Sequence, residues 1–90
     1  MNFVYDLQKS KANFFKHGID FIEAQFLWDD PDAVIVKAKD DIEPRFLVVG
    51  KINGKHWSAI ITFRSDDIRL ISVRRSRAKE VDFYESFKTR

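Results

Sequence analysis

Apolar side chains recur at helical spacing in the first third of this 90-residue chain. Residues 9–17 predict a first helix, and Gly18 is a typical residue for its C-terminal end. The apolar side of this helix consists of Leu7, Phe14 and Phe15. Asp20 and Glu23 have the spacing of a capping box, so a second helix is expected to continue to about Trp28.

From residue 33 onward the apolar positions alternate with a period of two, which is typical of strands. Four strands and a polar loop are predicted: strands at residues 33–37, 45–52, 55–64 and 68–74, and the loop at residues 39–44. Asn53-Gly54 indicates a tight hairpin between the middle two strands. Residues 3–5 predict an edge strand, and residues 78–87 predict a closing helix. The expected fold is α+β, with N-terminal helices, an antiparallel β-meander and a C-terminal helix, and with the helices on one sheet face.

The alternation also divides the side chains of each strand between two faces of the sheet. Ile71 and Val73 are expected to face the core, as are Trp28 and Trp57. Opposite them are expected Leu70, Ser72 and Arg74. The non-core face of the sheet then collects five basic or imidazole side chains: Arg45, Lys51, His56, Arg64 and Arg74. A one-residue bulge would exchange these assignments.

Composition limits the class of protein. Ninety residues that are 44% hydrophobic and 33% charged fit one globular domain over residues 1–90. The chain has no Cys, which excludes disulfides and thiolate ligands. No secretory leader or long apolar span is evident, so we expect a cytoplasmic protein without membrane contact.

Charge is distributed unevenly along the chain. Residues 1–44 contain five Lys or Arg and nine Asp or Glu, whereas residues 45–90 contain eleven and five. A basic second half favours a polyanion or an acidic protein as partner. An uneven but purely solvated surface is the alternative interpretation of the same numbers.

The residue types permit one kind of chemistry in particular. The two histidines, His17 and His56, match no metal-ligand spacing, and no Gly-rich phosphate loop is present, so neither a metal nor another cofactor is expected. RNA cleavage needs neither, because the 2′-hydroxyl of RNA is the nucleophile. Arg stabilises the charge that develops on phosphate, and His, Lys, Glu or Tyr transfers protons. A basic sheet face with one His permits this reaction and equally suits passive binding of RNA or DNA.

An ordered set of short motifs covers nearly the whole chain. These are Lys16-His17-Gly18, Phe21-Ile22-Glu23-Ala24, Asp30-Pro31, Glu43-Pro44-Arg45, Gly50, Thr62-Phe63-Arg64, Arg69-Leu70-Ile71-Ser72-Val73-Arg74, Glu80 and Tyr84. Together they closely resemble the BrnT family of bacterial type II toxins. The chain departs from the family pattern at Tyr5, which replaces Trp, and at Val73 and Ser76, which replace Ala.

The resemblance implies a fold similar to the RelE-like ribonuclease toxins and RNA cleavage that arrests translation and growth. It also implies neutralisation by a cognate BrnA-like antitoxin, a ribbon-helix-helix DNA-binding protein. Operator DNA is then contacted only through the antitoxin. A non-enzymatic module that binds nucleic acid or protein through the basic sheet face is the alternative.

The resemblance and the basic face together give the candidate site residues. The candidate catalytic residues are His17, Arg45, Arg64, Arg74 and Glu80, with the arginines binding phosphate and His17 and Glu80 transferring protons. The candidate RNA-binding residues are Lys16, Lys51, Arg75 and Tyr84. Structural roles are the alternatives: His17 could favour the helix dipole, Glu80 could pair with a nearby Arg, and Tyr84 could pack in the interior. His56, beside the hairpin turn, is expected to be exposed to solvent.

Overall fold

The structure is a computed structural model that describes residues 2–38 and 42–88. Its strands are β1 (Asn2–Val4), β2 (Val34–Lys37), β3 (Phe46–Ile52), β4 (Lys55–Arg64) and β5 (Asp67–Arg75). Its helices are α1 (Leu7–His17), a 3₁₀ helix (Glu23–Asp29) and α2 (Ala78–Lys88). The predicted α+β class is confirmed, and the predicted loop falls partly on residues 39–41, which lie outside the described residues. No helix in the described part is long and apolar enough to cross a membrane.

The five strands form one sheet in the order β1-β5-β4-β3-β2. Strands β2 to β5 pair antiparallel, which confirms the predicted meander. Strand β1 lies at an edge, as predicted, and pairs parallel with β5. The Asn53-Gly54 turn has φ of 52° and 79°, the left-handed values that a tight hairpin turn between β3 and β4 requires. This turn fixes the β3–β4 register, in which Lys51 lies opposite His56.

A bulge in β5 changes the predicted faces of two residues. Ile60 pairs with Ser72 and Ile61 pairs with Leu70, so Ile71 is the extra residue between two ladder segments. Leu70 is therefore buried in the core at 1% exposure, and the predicted assignments of Leu70 and Ile71 were wrong. Beyond the bulge the alternation is as predicted, with Val73 in the core.

The main core lies between one face of the sheet and the segment that follows α1. We call this side the core face. Its buried sheet residues are Val48, Ile52, Trp57, Ala59, Ile61, Ile68, Leu70 and Val73. Ile19, Phe21, Ala24 and Leu27 cover them, and Trp28 packs at the margin, so both Trp predictions are confirmed. Burial of this apolar surface is the main stabilising contribution to the fold.

Helix α2 lies on the opposite face of the sheet, which we call the outer face. Its Glu80 contacts Ser58 and Arg74, and its Phe83 borders a groove with Val36 and Leu47. The expectation that all helices share one sheet face was therefore wrong. The apolar outer-face side chains of β2 and β3 provide the packing surface that α2 needs.

The second predicted helix is shorter and tighter than expected. It is the 3₁₀ helix of seven residues, and Asp20 Oδ1 accepts hydrogen bonds from the backbone N–H groups of Ile22 and Glu23. The capping role predicted for Asp20 is thus confirmed. Gly50 of β3 lies under this helix, where an added Cβ would stand 3.1 Å from Leu27 Cδ2.

Helix α1 begins at the Asp6 cap and ends at Gly18, whose φ is 78°, as predicted. Its buried residues are polar, Ser10 and Asn13, while its apolar side is exposed, with Phe15 at 90%. Beyond the part of β5 that pairs with β1, the side chain of Asn13 hydrogen-bonds to the β5 backbone as a neighbouring strand would. It accepts a hydrogen bond from Val73 N at 3.1 Å and donates to the carbonyl oxygens of Val73 and Ile19 at 2.9 and 2.8 Å.

Candidate active site

Strand register brings a set of polar side chains together on the outer face, at the end of the sheet that carries the Asn53-Gly54 turn. Ser58 pairs with Arg74, and Lys51 pairs with His56. The backbone N–H of Ser76 donates to the carbonyl oxygen of His56 at 3.0 Å, which extends the β4–β5 ladder. With two carboxylates from α2, these residues form what we call the Arg74 cluster: Lys51, His56, Ser58, Arg74, Ser76, Glu80 and Glu85.

The strongest contact in the cluster is a bidentate ion pair. Arg74 Nη1 donates to Glu80 Oε1 at 2.7 Å, and Arg74 Nη2 donates to Glu80 Oε2 at 2.8 Å. Both side chains are largely buried, at 23% and 15% exposure. Paired, partly desolvated charges of this geometry are stronger than surface ion pairs. The alternative that Glu80 pairs with a nearby arginine is therefore confirmed.

The pairing with Glu80 leaves some N–H donors of the Arg74 guanidinium without a described partner. A guanidinium has five N–H donors. Two donate to Glu80, and a second Nη1–H donates to the carbonyl oxygen of Arg75 at 3.3 Å. Among the described contacts this leaves Nε–H and one Nη2–H, which share one edge of the guanidinium plane. Such an edge matches two oxygens of a phosphate.

Glu80 is held from several directions. Besides Arg74, the Ser58 hydroxyl donates to Oε1 at 2.8 Å and the backbone N–H of Arg77 at 2.9 Å. The contact with Arg77 resembles half of a capping box at the start of α2. Ser76 Oγ lies 2.7 Å from Ser58 Oγ, so Ser76 donates along the same chain. The hydrogen bonds from Arg74, opposed by burial, lower the pKa of Glu80 to about 2.

Glu80→Gln should make the domain less stable at neutral pH and should remove one source of its acid sensitivity. Because the pKa of Glu80 is lowered from 4.5 to about 2 on folding, its stabilising contribution is present above pH 4.5 and is lost as pH falls towards 2. The shift corresponds to about 3 kcal/mol at pH 7. Urea unfolding at pH 7, 5 and 3 should show a gap between wild type and variant that narrows with acid.

Asp82→Asn is the matched control for this prediction, because Asp82 is an exposed carboxylate on the same helix. It should leave the free energy of unfolding within about 0.5 kcal/mol at each pH. A Glu80→Gln gap that stays constant from pH 7 to pH 3 would contradict the prediction.

A second carboxylate of α2 engages the histidine of β4. Glu85 Oε2 lies 2.9 Å from His56 Nε2 and 3.8 Å from Lys51 Nζ. The hydrogen bond from His56 lowers the pKa of Glu85, and the nearby lysine charges act in the same direction. The His56 ring also meets Tyr84 edge-on, with ring centroids 5.3 Å apart. His56 is 20% exposed, so the expectation that it lies free in solvent was wrong.

Tyr84 supports this arrangement from the interior. It is 1% exposed, and its hydroxyl donates to Asp30 Oδ2 at 2.8 Å. Asp30 Oδ2 also accepts from the backbone N–H of Lys51 at 2.8 Å. Burial raises the pKa of Tyr84 and so does its hydrogen bond to Asp30, which keeps the phenol protonated. The geometry favours the packing role for Tyr84 over direct contact with RNA.

Two other predicted RNA-binding residues lie at or beside the cluster. Lys51 is a member, and its ammonium approaches Glu85. Arg75 points to the other face from Arg74, as expected from the alternation, and its guanidinium lies over the Trp57 ring at 5.5 Å. Arg75 Nε also donates to the carbonyl oxygen of His56 at 3.3 Å. Arg75 is exposed and adds positive charge to the rim of the cluster.

The structure does not bring the three strand arginines together. Arg64 ends β4 six residues from Ser58, about 20 Å away along the strand. Its Nη2 pairs with Glu43 Oε1 at 3.3 Å. Arg45 immediately precedes β3 at the same end of the sheet and is half-buried. The outer face is therefore basic at both ends, with the Arg74 cluster at one end only.

Lys16 and His17 lie apart from the cluster, at the C-terminal end of α1. Lys16 is exposed and His17 is half-buried. Among the described residues, the imidazole of His17 has no hydrogen-bond or ion-pair partner. In residues 2–38 and 42–88, no group of three or more His, Asp or Glu side chains is arranged to hold a metal ion.

Sequence reasoning missed the roles of His56, Ser58 and Glu85. The hairpin turn and the alternation already placed His56 and Ser58 on the same face as Arg74. Glu85 is 29 residues from His56 in the chain, and only the packing of α2 on the outer face brings them together. For Glu85 the sequence offers no such signal, because positions five residues apart lie on different sides of a helix.

Comparison with known protein families gives a match over most of the chain. A family described as "Ribonuclease toxin, BrnT, of type II toxin-antitoxin system" matches residues 5–80. A search of curated proteins gives no match. The matched segment contains every strand of the sheet from β2 to β5 and the Arg74–Glu80 pair.

Proposed function

Because the chain belongs to the BrnT family of ribonuclease toxins of type II toxin–antitoxin systems, we propose that it cleaves RNA at the Arg74 cluster through the 2′-hydroxyl of the RNA, without a metal ion. The observation that supports this site most strongly is the unused edge of the Arg74 guanidinium. That edge can bind two oxygens of a scissile phosphate while Glu80 holds the other side of the same group.

In the proposed reaction the 2′-oxygen attacks the adjacent phosphorus and the 5′-oxygen leaves. Negative charge develops on the non-bridging phosphate oxygens in the transition state. Arg74 is placed to stabilise that charge, because Glu80 fixes its guanidinium before substrate arrives. A preorganised donor does not need to reorient during the reaction, which is the source of its catalytic effect. Glu80 is then a positioning residue, and this replaces the role in proton transfer expected from the sequence.

The other basic residues are proposed to bind the RNA strand on either side of the scissile phosphate. Lys51 belongs to the Arg74 cluster through its contact with Glu85, and Arg75 is exposed next to Arg74 in the chain, on the other face of β5. Arg45 and Arg64 lie at the far end of β3 and β4 and can neutralise phosphates further along the strand. Lys16 and His17 of α1 are assigned to outlying RNA contacts, because they lie apart from the Arg74 cluster.

The test uses the purified chain on two substrates: total bacterial RNA and an actively translating bacterial extract. We expect cleavage in at least one of them, with 5′-hydroxyl and 2′,3′-cyclic phosphate ends. Those ends require attack by the 2′-hydroxyl, since attack by water leaves a phosphate monoester. RNA with 2′-O-methyl groups at the cleaved position should resist, because it lacks the nucleophile.

Three results would count against the proposal. Intact RNA in both reactions, with soluble folded protein, would favour the passive binding module instead. Cleavage that leaves 5′-phosphate ends would exclude attack by the 2′-hydroxyl. Cleavage of free RNA that stops in EDTA and returns with added Mg²⁺ would exclude the metal-independent reaction.

Membership of a type II family implies a protein antitoxin as partner. We propose that this partner is a BrnA-like ribbon-helix-helix protein, that it alone contacts operator DNA, and that the pair acts in the cytoplasm. Exposed apolar side chains on α1, on the 3₁₀ helix and on the residue just before that helix support a protein partner, since such patches commonly mark interaction surfaces. They are Leu7, Phe14, Phe15, Ile22 and Phe26.

A further inference from the structure

We propose that His56 accepts the proton from the attacking 2′-hydroxyl and that Glu85 positions it. This assignment rests on the proposed ribonuclease activity and adds its proton acceptor. It comes from the placement of a histidine and a carboxylate within the Arg74 cluster, on the outer face of the sheet. The sequence motifs directed attention to His17, at the end of α1.

The His56–Glu85 contact has the geometry of an oriented base. Glu85 Oε2 lies 2.9 Å from His56 Nε2, so in the neutral imidazole the proton resides on Nε2 and is donated to the carboxylate. The basic lone pair is then on Nδ1, which has no partner among the described residues. A carboxylate that fixes the tautomer and stabilises the imidazolium is a recurrent feature of catalytic histidines.

The position of His56 relative to Arg74 suits a shared substrate. Ser58 lies opposite Arg74, and His56 is two residues before Ser58 on the same face of β4. His56 and Arg74 are therefore diagonal neighbours across the pair of strands, with Cβ atoms roughly 7 Å apart. A phosphate bound at the free edge of Arg74 would have its neighbouring ribose within reach of an imidazole at that separation.

Charged and aromatic groups face His56 from every element that packs against it. Lys51 of β3 lies opposite it and approaches Glu85, and Arg74 and Arg75 of β5 supply positive charge. From α2, Glu85 contributes negative charge, and Tyr84 packs a protonated phenol ring against the imidazole edge-on. Asp30 contacts Tyr84 and not the imidazole. His56 thus lies among groups of both charge signs and against an uncharged aromatic ring.

The other candidates for proton acceptor are less suited. Glu80 accepts four hydrogen bonds, two of them from Arg74, and its pKa of about 2 makes it a weak base at neutral pH. His17 is half-buried on α1 and makes no described contact with the Arg74 cluster. Of the two histidines, only His56 belongs to the Arg74 cluster.

The proposed step conserves atoms and charge. His56 Nδ1 takes the 2′-hydroxyl proton as the O2′–P bond forms and the P–O5′ bond breaks. The leaving 5′-oxygen takes a proton from water. The imidazolium returns its proton to the resulting hydroxide, which regenerates the neutral imidazole. The products are a 2′,3′-cyclic phosphate and a 5′-hydroxyl.

The experiment compares single-turnover cleavage by wild type, His56→Gln and His17→Gln, on whichever RNA preparation the wild type cleaves. Gln keeps an N–H near the position of Nε2 and has no basic nitrogen. We expect His56→Gln to be about 10²-fold slower than wild type with an unchanged Tm. His17→Gln removes only an outlying RNA contact and should slow cleavage much less than His56→Gln does. Added imidazole should accelerate His56→Ala and leave wild type unaffected. Glu85→Gln should slow cleavage less than His56→Gln does and should shift the pH profile of the rate.

The outcomes separate this assignment from the proposed function. Wild-type rates in His56→Gln, with RNA still cleaved, would overturn the role of His56 and leave the ribonuclease in place. The same conclusion follows if imidazole does not accelerate His56→Ala, or if His17→Gln is the slower of the two Gln variants. A wild type that cleaves neither RNA preparation would overturn the ribonuclease itself, and the role of His56 with it.

Discussion

Arg74→Ala should slow RNA cleavage by about 10³-fold and should abolish growth arrest when the chain is expressed in bacteria without an antitoxin. The guanidinium is the group in the Arg74 cluster with two unused donors on one edge, and it is already fixed by Glu80. Its loss removes charge stabilisation that is stronger in the transition state than in the bound substrate. Cleavage rates and growth curves, with total RNA followed in the same cultures, measure the effect.

Loss of stability must be separated from loss of catalysis in this variant, because Arg74→Ala leaves the Glu80 carboxylate partly buried and unpaired. Arg74→Lys keeps the positive charge and loses the planar fork, so it should recover part of the stability and little of the rate. The double variant Arg74→Ala with Glu80→Gln removes the unpaired charge. It should regain stability without regaining cleavage.

Arg77→Ala is the matched control. Arg77 is exposed, three residues further along the chain, and contributes its backbone N–H to the cluster. We expect it to arrest growth and cleave RNA within a few-fold of wild type. Growth arrest and RNA fragmentation that persist in folded Arg74→Ala would remove Arg74 from the catalytic site, and the proposed site would then have to be sought elsewhere on the sheet.

The parts of the fold that follow local rules were predictable from the sequence. Asn53 and Gly54 adopt the positive φ values that their turn requires, and Gly18 ends α1 in the left-handed region. The period of two located β2 to β5 to within one residue at each end. Each of these features depends on residues that are close together in the chain.

Features that depend on distant residues were not predictable. The extra residue Ile71 has no signal of its own, because an alternating pattern reads equally well with or without a bulge until the partner strand is known. The parallel pairing of β1 with β5 depends on how α1 returns along the sheet. The outer-face position of α2 is decided by Glu80 meeting Ser58 and Arg74 across the sheet.

The candidate site divides in the same way. Arg74 and Glu80 could be proposed from sequence because the resemblance to a family contains both, and their six-residue spacing lets a strand and the following helix bring them together. Lys51 followed from alternation. The His56–Glu85 pair could not be predicted from the sequence, because the contact depends on both the register of the hairpin and the position of α2 on the sheet. The alternation also suggested that Arg45 and Arg64 lie close to Arg74. It predicts which face of the sheet a side chain occupies, but it does not predict how far apart two side chains are on that face.

Asn13→Ala should destabilise the domain by about 3 kcal/mol. Asn13 is 6% exposed, and its carboxamide satisfies the N–H and carbonyl of Val73 and the carbonyl of Ile19. Each buried backbone group left without a partner costs about 1–3 kcal/mol. In a domain of this size the loss corresponds to a fall in Tm of roughly 15 °C.

Two variants test whether the strand-like hydrogen bonds of Asn13 are the cause. Asn13→Asp keeps an acceptor for the N–H of Val73 but loses the donors to the carbonyl oxygens of Ile19 and Val73. This variant should therefore be less stable than wild type at pH 7. Its stability should be partly restored in acid, where a protonated carboxyl group can donate a hydrogen bond. Gln8→Ala, at an exposed position of α1, should change the free energy of unfolding by less than about 0.5 kcal/mol. If Asn13→Ala unfolds within 1 °C of wild type, then α1 is anchored to β5 by packing alone.

Because Val73 immediately precedes Arg74, loss of this anchor should also loosen the strand that carries the Arg74 guanidinium. Hydrogen exchange of the β5 amides should therefore become faster in Asn13→Ala under conditions where the domain is still globally folded.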